Sequence, residues 1–196
     1  YFEDKEAEWF FKKLLEAEKF DSKLCYGYDL TLVSAKLGCD NLRTLYTIDD
    51  YFRQVIIVFD NDVLLKDRIT PIMEKSKTIL ALPAIVGDEV NNEEIRTPEF
   101  QIYNYLSKLL QNIDHPYWNN LPHRYNIELI KDSIIDTFPM IAGKEPLRVI
   151  RKDWFKTNVI HFEQTDLMTY FYKDNIELIT PFINDFKTAI ETLINK

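Results

Sequence analysis

Apolar residues near the start of the chain recur at spacings of three and four. Ala7, Phe10, Phe11, Leu14 and Leu15 share one face of a helix predicted over 5–19, begun at Asp4 or Lys5. The period then changes. Residues 29–35 (DLTLVSA) are short, apolar and β-branched, which predicts a buried strand; Gly38-Cys39-Asp40-Asn41 supplies turn and cap residues before a helix over 42–52. Residues 55–59 are five consecutive apolar side chains ending at Asp60, and 79–82 repeat the pattern, as strands covered on both faces do. Tyr1-Phe2-Glu3 reads as the last residues of a strand that begins upstream. Strands alternating with helices predict right-handed crossovers and a parallel sheet, with chemistry at the strand carboxyl ends: Glu3, Ser34, Asp60 and Leu82.

The pattern changes again after Pro83. Residues 86–97 (VGDEVNNEEIRT) are polar and acidic, the profile of an active-site or binding loop. Thr97-Pro98-Glu99 suits a helix start, and Ile102, Tyr103, Leu106, Leu109 and Leu110 give that helix its apolar stripe. Beyond about Asn112, residues 115–124 (HPYWNNLPHR) read as a connector. Ile127, Ile130, Ile134 and Ile135 predict a helix, and Ile179, Phe182, Ile183, Phe186, Ile190 and Leu193 keep helical spacing to the end. The fold class expected is therefore α/β over 1–112, a parallel sheet flanked by helices, followed by a mainly helical extension over 113–196 packed on it.

Composition narrows the function. The 196 residues are 46% apolar and 29% charged, a profile of one ordinary globular domain. The four glycines, at 27, 38, 87 and 143, are too far apart to form a phosphate-cradling GxGxxG or GxxxxGK loop. Cys25 and Cys39 read as free intracellular thiols, and His115, His123 and His161 have no zinc-site spacing. The longest apolar run, 79–86, contains Pro83 and is far short of the roughly 20 residues that span a bilayer, so a cytoplasmic protein with no membrane partner is expected. A formal net charge of −8 argues against autonomous tight binding of nucleic acid unless metal ions or a basic partner intervene.

Three carboxylates stand where a parallel sheet would gather them. Glu3 ends one predicted strand, and Asp60 and Asp62 follow another; residues two apart in extended backbone project the same way. Hard divalent cations are the usual remedy for such mutual repulsion. The plain alternative is that the aspartates cap a helix and Glu3 is solvated. A glutamate after a first strand and a DxD after a third, separated by helix, strand, turn, helix and strand, resembles the Toprim domain of topoisomerases, primases and the overcoming-lysogenization-defect (OLD) nucleases. The wording of 1–7, 37–42 and 56–62 is most similar to Toprim regions that follow an ABC-type ATPase in OLD-like defence proteins. Residues 151–155 and the closing helix resemble the helical tail of those proteins.

The resemblance implies a Toprim-like (Rossmann-like) catalytic domain over 1–112. The implied activity is a Mg²⁺- or Mn²⁺-dependent endonuclease with one or two ions, acting on nucleic acid, DNA ahead of RNA, as the effector of an ATPase-controlled antiphage system. Glu3, Asp60 and Asp62 would bind metal and carry the catalysis, Glu99 would be a further metal ligand, and Lys152 a transition-state cation. The plain readings of the last two are a helix-dipole partner and a solvated helix lysine. An ABC-type ATPase, in cis or in trans, is the implied partner, with homo-oligomerisation through it. The chain departs from the family at Asp4, where a glycine is usual, and at Ala7, where the nucleases carry an acid; Glu6 or Glu8 is left to replace it.

Two rival readings remain. One is a catalytically inactive Toprim scaffold that binds and regulates a partner. The other follows from residues 59–63 (FDNDV), which resemble the DxDx(T/V) signature of haloacid-dehalogenase-like phosphatases, with 87–92 as its downstream element; the two lie too close for the intervening phosphatase fold, and Glu3 is left without a role. Val149, Arg151, Lys152 and Lys156 with Trp154 and Phe155 combine cations and aromatics suited to a phosphate backbone or a base, or simply form an amphipathic helix.

Overall fold

The computed structural model describes residues 1–85, 96–140 and 147–195. Ten α-helices occur among them: α1 Lys5–Glu18, α2 Ser22–Tyr26, α3 Cys39–Ile48, α4 Thr70–Met73, α5 Pro98–Leu110, α6 Pro116–Asn119, α7 Ile127–Ile130, α8 Leu147–Gln164, α9 Leu167–Asp174 and α10 Ile176–Ile194. Two short strands, β1 Ile57–Phe59 and β2 Ile79–Ala81, pair in parallel with Val58 opposite Leu80. Phe2 adds isolated parallel bridges to Val58 on one side and to Ser34 on the other. All four predicted strand positions therefore line up, in the order Ser34, Phe2, β1, β2.

The regular sheet is nevertheless much smaller than expected. The chain is 63% helical with a two-stranded parallel sheet, so a full Toprim or Rossmann sheet is corrected to a mostly helical fold around a sheet remnant. The segment over 29–35 is the main loss. It packs at the rim, with Leu30 exposed, and its contact with Phe2 consists of Phe2 N donating to Val33 O and Ala35 N to Phe2 O, both at 2.9 Å. A segment without cover on its outer face gains too little from pairing to extend the ladder.

Helix α1 forms as its pattern predicts. Asp4 caps it, its carboxylate accepting from Ala7 N at 3.0 Å, and Lys19 closes it in the left-handed conformation. Its apolar face meets the closing helices: Phe10 lies edge-on to Phe171 at 5.3 Å and Phe11 edge-on to Phe186 at 4.9 Å. Burying each of these rings contributes about 1.5–3 kcal/mol. One large core thus joins residues on both sides of position 112. β1 divides its side chains by the period of two: Val58 enters this core, while Ile57 and Phe59 join a smaller cluster with Leu42, Val63 and Ile69.

The predicted cation–aromatic segment on α8 is split: Arg151, Trp154 and Phe155 face inward, while Val149 and Lys156 are exposed. Arg151 is buried with its guanidinium 5.2 Å above the rings of both Phe100 and Phe138, and Trp154 Nε1 donates to Ile134 O at 2.9 Å. Phe155 is also buried. These three side chains are core, which corrects their reading as a grip on nucleic acid. The predicted helix through 127–135 divides into α7 and a π-helical turn Lys131–Ile135. No helix among the described residues is long and apolar enough to cross a membrane.

Candidate functional site

The carboxyl edge of the sheet remnant collects acids because three chain segments leave it side by side. Glu3 follows the bridged Phe2, and Asp60 follows β1 in extended backbone. Asp62 sits in the 3₁₀ turn Asn61–Leu65 that comes next. Asn61 fixes this turn: its Nδ2 donates to Leu82 O at 2.6 Å, at the end of β2, and its Oδ1 accepts from Arg96 Nη1 at 2.7 Å. The side chain between the two aspartates is thus used up on structure.

Glu3, Asp60, Asp62 and Glu99 are all at least 95% buried, at 5%, 1%, 2% and 2% exposure. Each keeps one oxygen without a hydrogen-bond partner: Glu3 Oε1, Asp60 Oδ1, Asp62 Oδ1 and Glu99 Oε1. Burial pushes the Glu3 carboxyl up to about 7, with the Asp62 charge adding to it and Arg148 and Lys66 opposing. Asp60 is driven well above the usual carboxylate range, by burial first and then by Asp4, Glu3, Glu99 and Asp62. Glu99 is raised by burial, with Asp4 reinforcing. Carboxylates held in this way are unstable neighbours until a cation or protons join them.

Cations already present neutralise part of the cluster. Lys66 Nζ lies 2.9 Å from Asp62 Oδ2 and 3.5 Å from Cys39 Sγ. Arg148 places Nη2 at 3.5 Å from Asp60 Oδ2 and Nη1 at 3.9 Å from Asp62 Oδ2. Lys152, one turn further along α8, pairs with Asp4. Its pKa is raised although burial alone would lower it, because Asp4 and Glu99 favour the charged form. Beside the acids lies a cleft of about 540 Å³ lined by Glu3, Asp4, Gly38, Cys39, Arg148 and Lys152 among others.

The sequence-predicted residues Glu3, Asp60, Asp62, Glu99 and Lys152 thus lie in one electrostatic cluster. Glu99 is a buried member of it with a free oxygen, more than the helix-dipole partner that its position suggests. Glu6, also buried, lies 3.9 Å from Lys156 at the margin of the cluster, where burial and the Asp4 charge raise its pKa and Lys152 opposes. The chemistry of the donor set suits a hard divalent ion: anionic oxygens, four of them unsatisfied. The geometry is not yet that of a ligand shell, since no group of three or more His, Cys, Asp and Glu among the described residues stands ready to hold a metal. Arg148 and Lys66 hold the aspartates instead.

Sequence reasoning missed Arg148, Lys66, Asn61 and Arg96. Spacing of four was the available signal for two of them, Lys66 from Asp62 and Arg148 from Lys152, because such pairs share a helix face. The downstream phosphatase-like element at 87–92 and most of the predicted loop over 86–97 lie outside the described residues. Compared with protein families, with curated proteins and with solved structures, the chain shows no match.

Proposed function

We propose that the chain is a divalent-cation-dependent phosphodiesterase domain of Toprim type, cleaving nucleic acid, DNA ahead of RNA. One observation carries the reading: four buried carboxylates with unsatisfied oxygens lie near the carboxyl edge of parallel strands, beside a cleft whose lining includes the cations Lys36, Arg148 and Lys152. Glu3, Asp60 and Asp62 are the proposed ligands of Mg²⁺ or Mn²⁺, with Glu99 behind them. A bound ion there supplies Lewis-acid polarisation of the phosphate and a water of lowered pKa. Glu3, pushed up to about 7, holds or releases a proton at working pH. Lys152 and Arg148 line the cleft and offer positive charge to the phosphate. An ABC-type ATPase in cis or in trans, with homo-oligomerisation through it, fits the acidic balance of −8, because the domain needs help to hold a polyanion. Control of an antiphage effector by that ATPase belongs to the same proposal, as does a cytoplasmic location.

The second reading is an inactive scaffold that regulates a partner. It is favoured by the pairing of Arg148 and Lys66 with the aspartates where metal would sit. The haloacid-dehalogenase-like phosphatase ranks third, since it gives no work to the buried, unsatisfied Glu3. A nuclease assay with Mg²⁺ or Mn²⁺ separates the three. The enzyme reading expects cleavage that falls at least about 100-fold in Asp60→Ala, beyond what loss of an outer-shell partner costs. Unchanged cleavage in that variant rejects it, and absence of cleavage in the full assembly favours the scaffold. Turnover of small phosphomonoesters that is insensitive to Glu3→Gln points to the phosphatase.

A further inference from the structure

Phe2 is bridged in parallel on both sides, to Ser34 and to Val58. Its two neighbours are thereby held two strand spacings apart, about 9–10 Å. Towards their amino ends these neighbours run on beyond Tyr1 and bound a slot of about 380 Å³. Leu32 and Val33 line one side of it and Val55 and Ile56 the other, with the core rings Phe11 and Phe186 at its base.

The sides of the slot carry backbone donors aimed into it. Tyr1 and Phe2 bond alternately to the two sides: Tyr1 N donates to Ile56 O at 2.7 Å, and Phe2 N donates to Val33 O at 2.9 Å. In an extended strand the N–H and C=O of one residue point the same way, so Ile56 N and Val33 N also face the slot. Neither has a hydrogen-bond partner among the described residues. Unpaired donors on a strand are a template for another strand. The lining around them is apolar, and Leu30 and Tyr51, which also line the slot, are 37% and 54% exposed. A helix is about 10–12 Å across and keeps its carbonyls for itself, so an extended backbone is the partner that meets both donors at once. Continuing the alternation of Tyr1 and Phe2 backwards, the first residue in line accepts from Val33 N and the second from Ile56 N.

We propose that this slot is a strand acceptor: its occupant is an extended apolar segment joined to the Tyr1 nitrogen, running parallel to β1 between residues 31–33 and 54–56. A strand in line with Tyr1 keeps the register in which both donors are met, and its apolar side chains cover the rings at the base. Glu3 directly follows the bridged Phe2, so the occupant also steadies the segment that carries Glu3. The acceptor stands on the backbone geometry alone and is independent of what the acids bind.

Amide hydrogen exchange of the whole chain, read residue by residue by NMR, tests it. The chain of 196 residues is compared with chains extended at Tyr1 by Val-Ile-Val or by Asp-Pro-Pro, and with the unextended chain in the presence of the free peptide Lys-Lys-Val-Ile-Val. The Val33 and Ile56 amides are expected to exchange fast in the unextended chain and about tenfold or more slowly with Val-Ile-Val attached. Asp-Pro-Pro should change them by less than about twofold, because prolines are not taken into a central strand. Slow exchange of both amides in the unextended chain, no slowing with Val-Ile-Val, or equal slowing with Asp-Pro-Pro overturns the acceptor. Equal slowing by the free peptide overturns the junction with Tyr1 and gives the slot to a separate strand.

Discussion

Replacing Glu3 by glutamine should make the metal-free protein more stable, and only above acidic pH. The Glu3 carboxyl sits near 7 in the folded chain against an ordinary value of 4.5, because burial and the Asp62 charge penalise its ionised form. A raised acid binds its proton more tightly when folded than when unfolded. Relative to a side chain that never ionises, its contribution is therefore nil below pH 4.5, turns unfavourable as pH rises toward 7, and is a constant penalty above that. At 1.36 kcal/mol per pKa unit the penalty is about 3 kcal/mol. Glutamine keeps the shape of the side chain and never ionises. Urea unfolding with a chelator present, at pH 4.5 and pH 8, is the assay. Glu3→Gln should match wild type at pH 4.5 and exceed it by about 3 kcal/mol at pH 8, or roughly 6–12 °C in Tm for a chain of this size. Asp60 is raised in part by the Glu3 charge, so it too is relieved in the variant, and this adds to the gain at pH 8. A glutamine variant no more stable than wild type at pH 8, or equally favoured at both pH values, would refute the claim that Glu3 is strained by burial among like charges. Stability gained by dismantling a site is the usual mark of a site held for function.

Two further substitutions probe the scaffold. Phe171→Ala removes a fully buried ring that meets Phe10 at 5.3 Å and Tyr105 at 5.2 Å, and should cost about 3–5 kcal/mol by denaturant unfolding; a loss below about 1 kcal/mol would contradict the shared core of α1, α5 and α9. Asn61→Leu removes the acceptor of the buried Arg96 guanidinium and the tie to Leu82 O, and should cost about 3 kcal/mol through the charge left behind. The same variant should weaken Mn²⁺ binding by loosening the turn between the aspartates; intact binding would show that Asn61 does not position them.

The sequence exposed some layers of this molecule clearly and hid others for physical reasons. Helix α1 was legible because its cap, its stripe and its length agree, and β1 because five apolar residues end abruptly at Asp60. The parallel sense of the pairing between β1 and β2 followed from the same alternation, whereas the order of the segments across the sheet did not. The extent of the sheet did not: an apolar, β-branched stretch such as 29–35 has strand propensity whether or not anything covers its outer face, and here little does. The acids of the site were visible as residues at strand ends, yet their internal counterions were not. Arg148 lies 88 positions from Asp60, a separation that only tertiary packing closes. Arg151 looked like a surface cation from composition alone, and its burial between two phenylalanine rings follows from α8 turning that face to the core.

The most direct test of the account is a crystal soaked in millimolar Mn²⁺ and measured at the manganese absorption edge. An anomalous peak is expected about 2.0–2.3 Å from carboxylate oxygens of Asp60, Asp62 and Glu3. An intact fold with no peak among those three residues would contradict the metal reading.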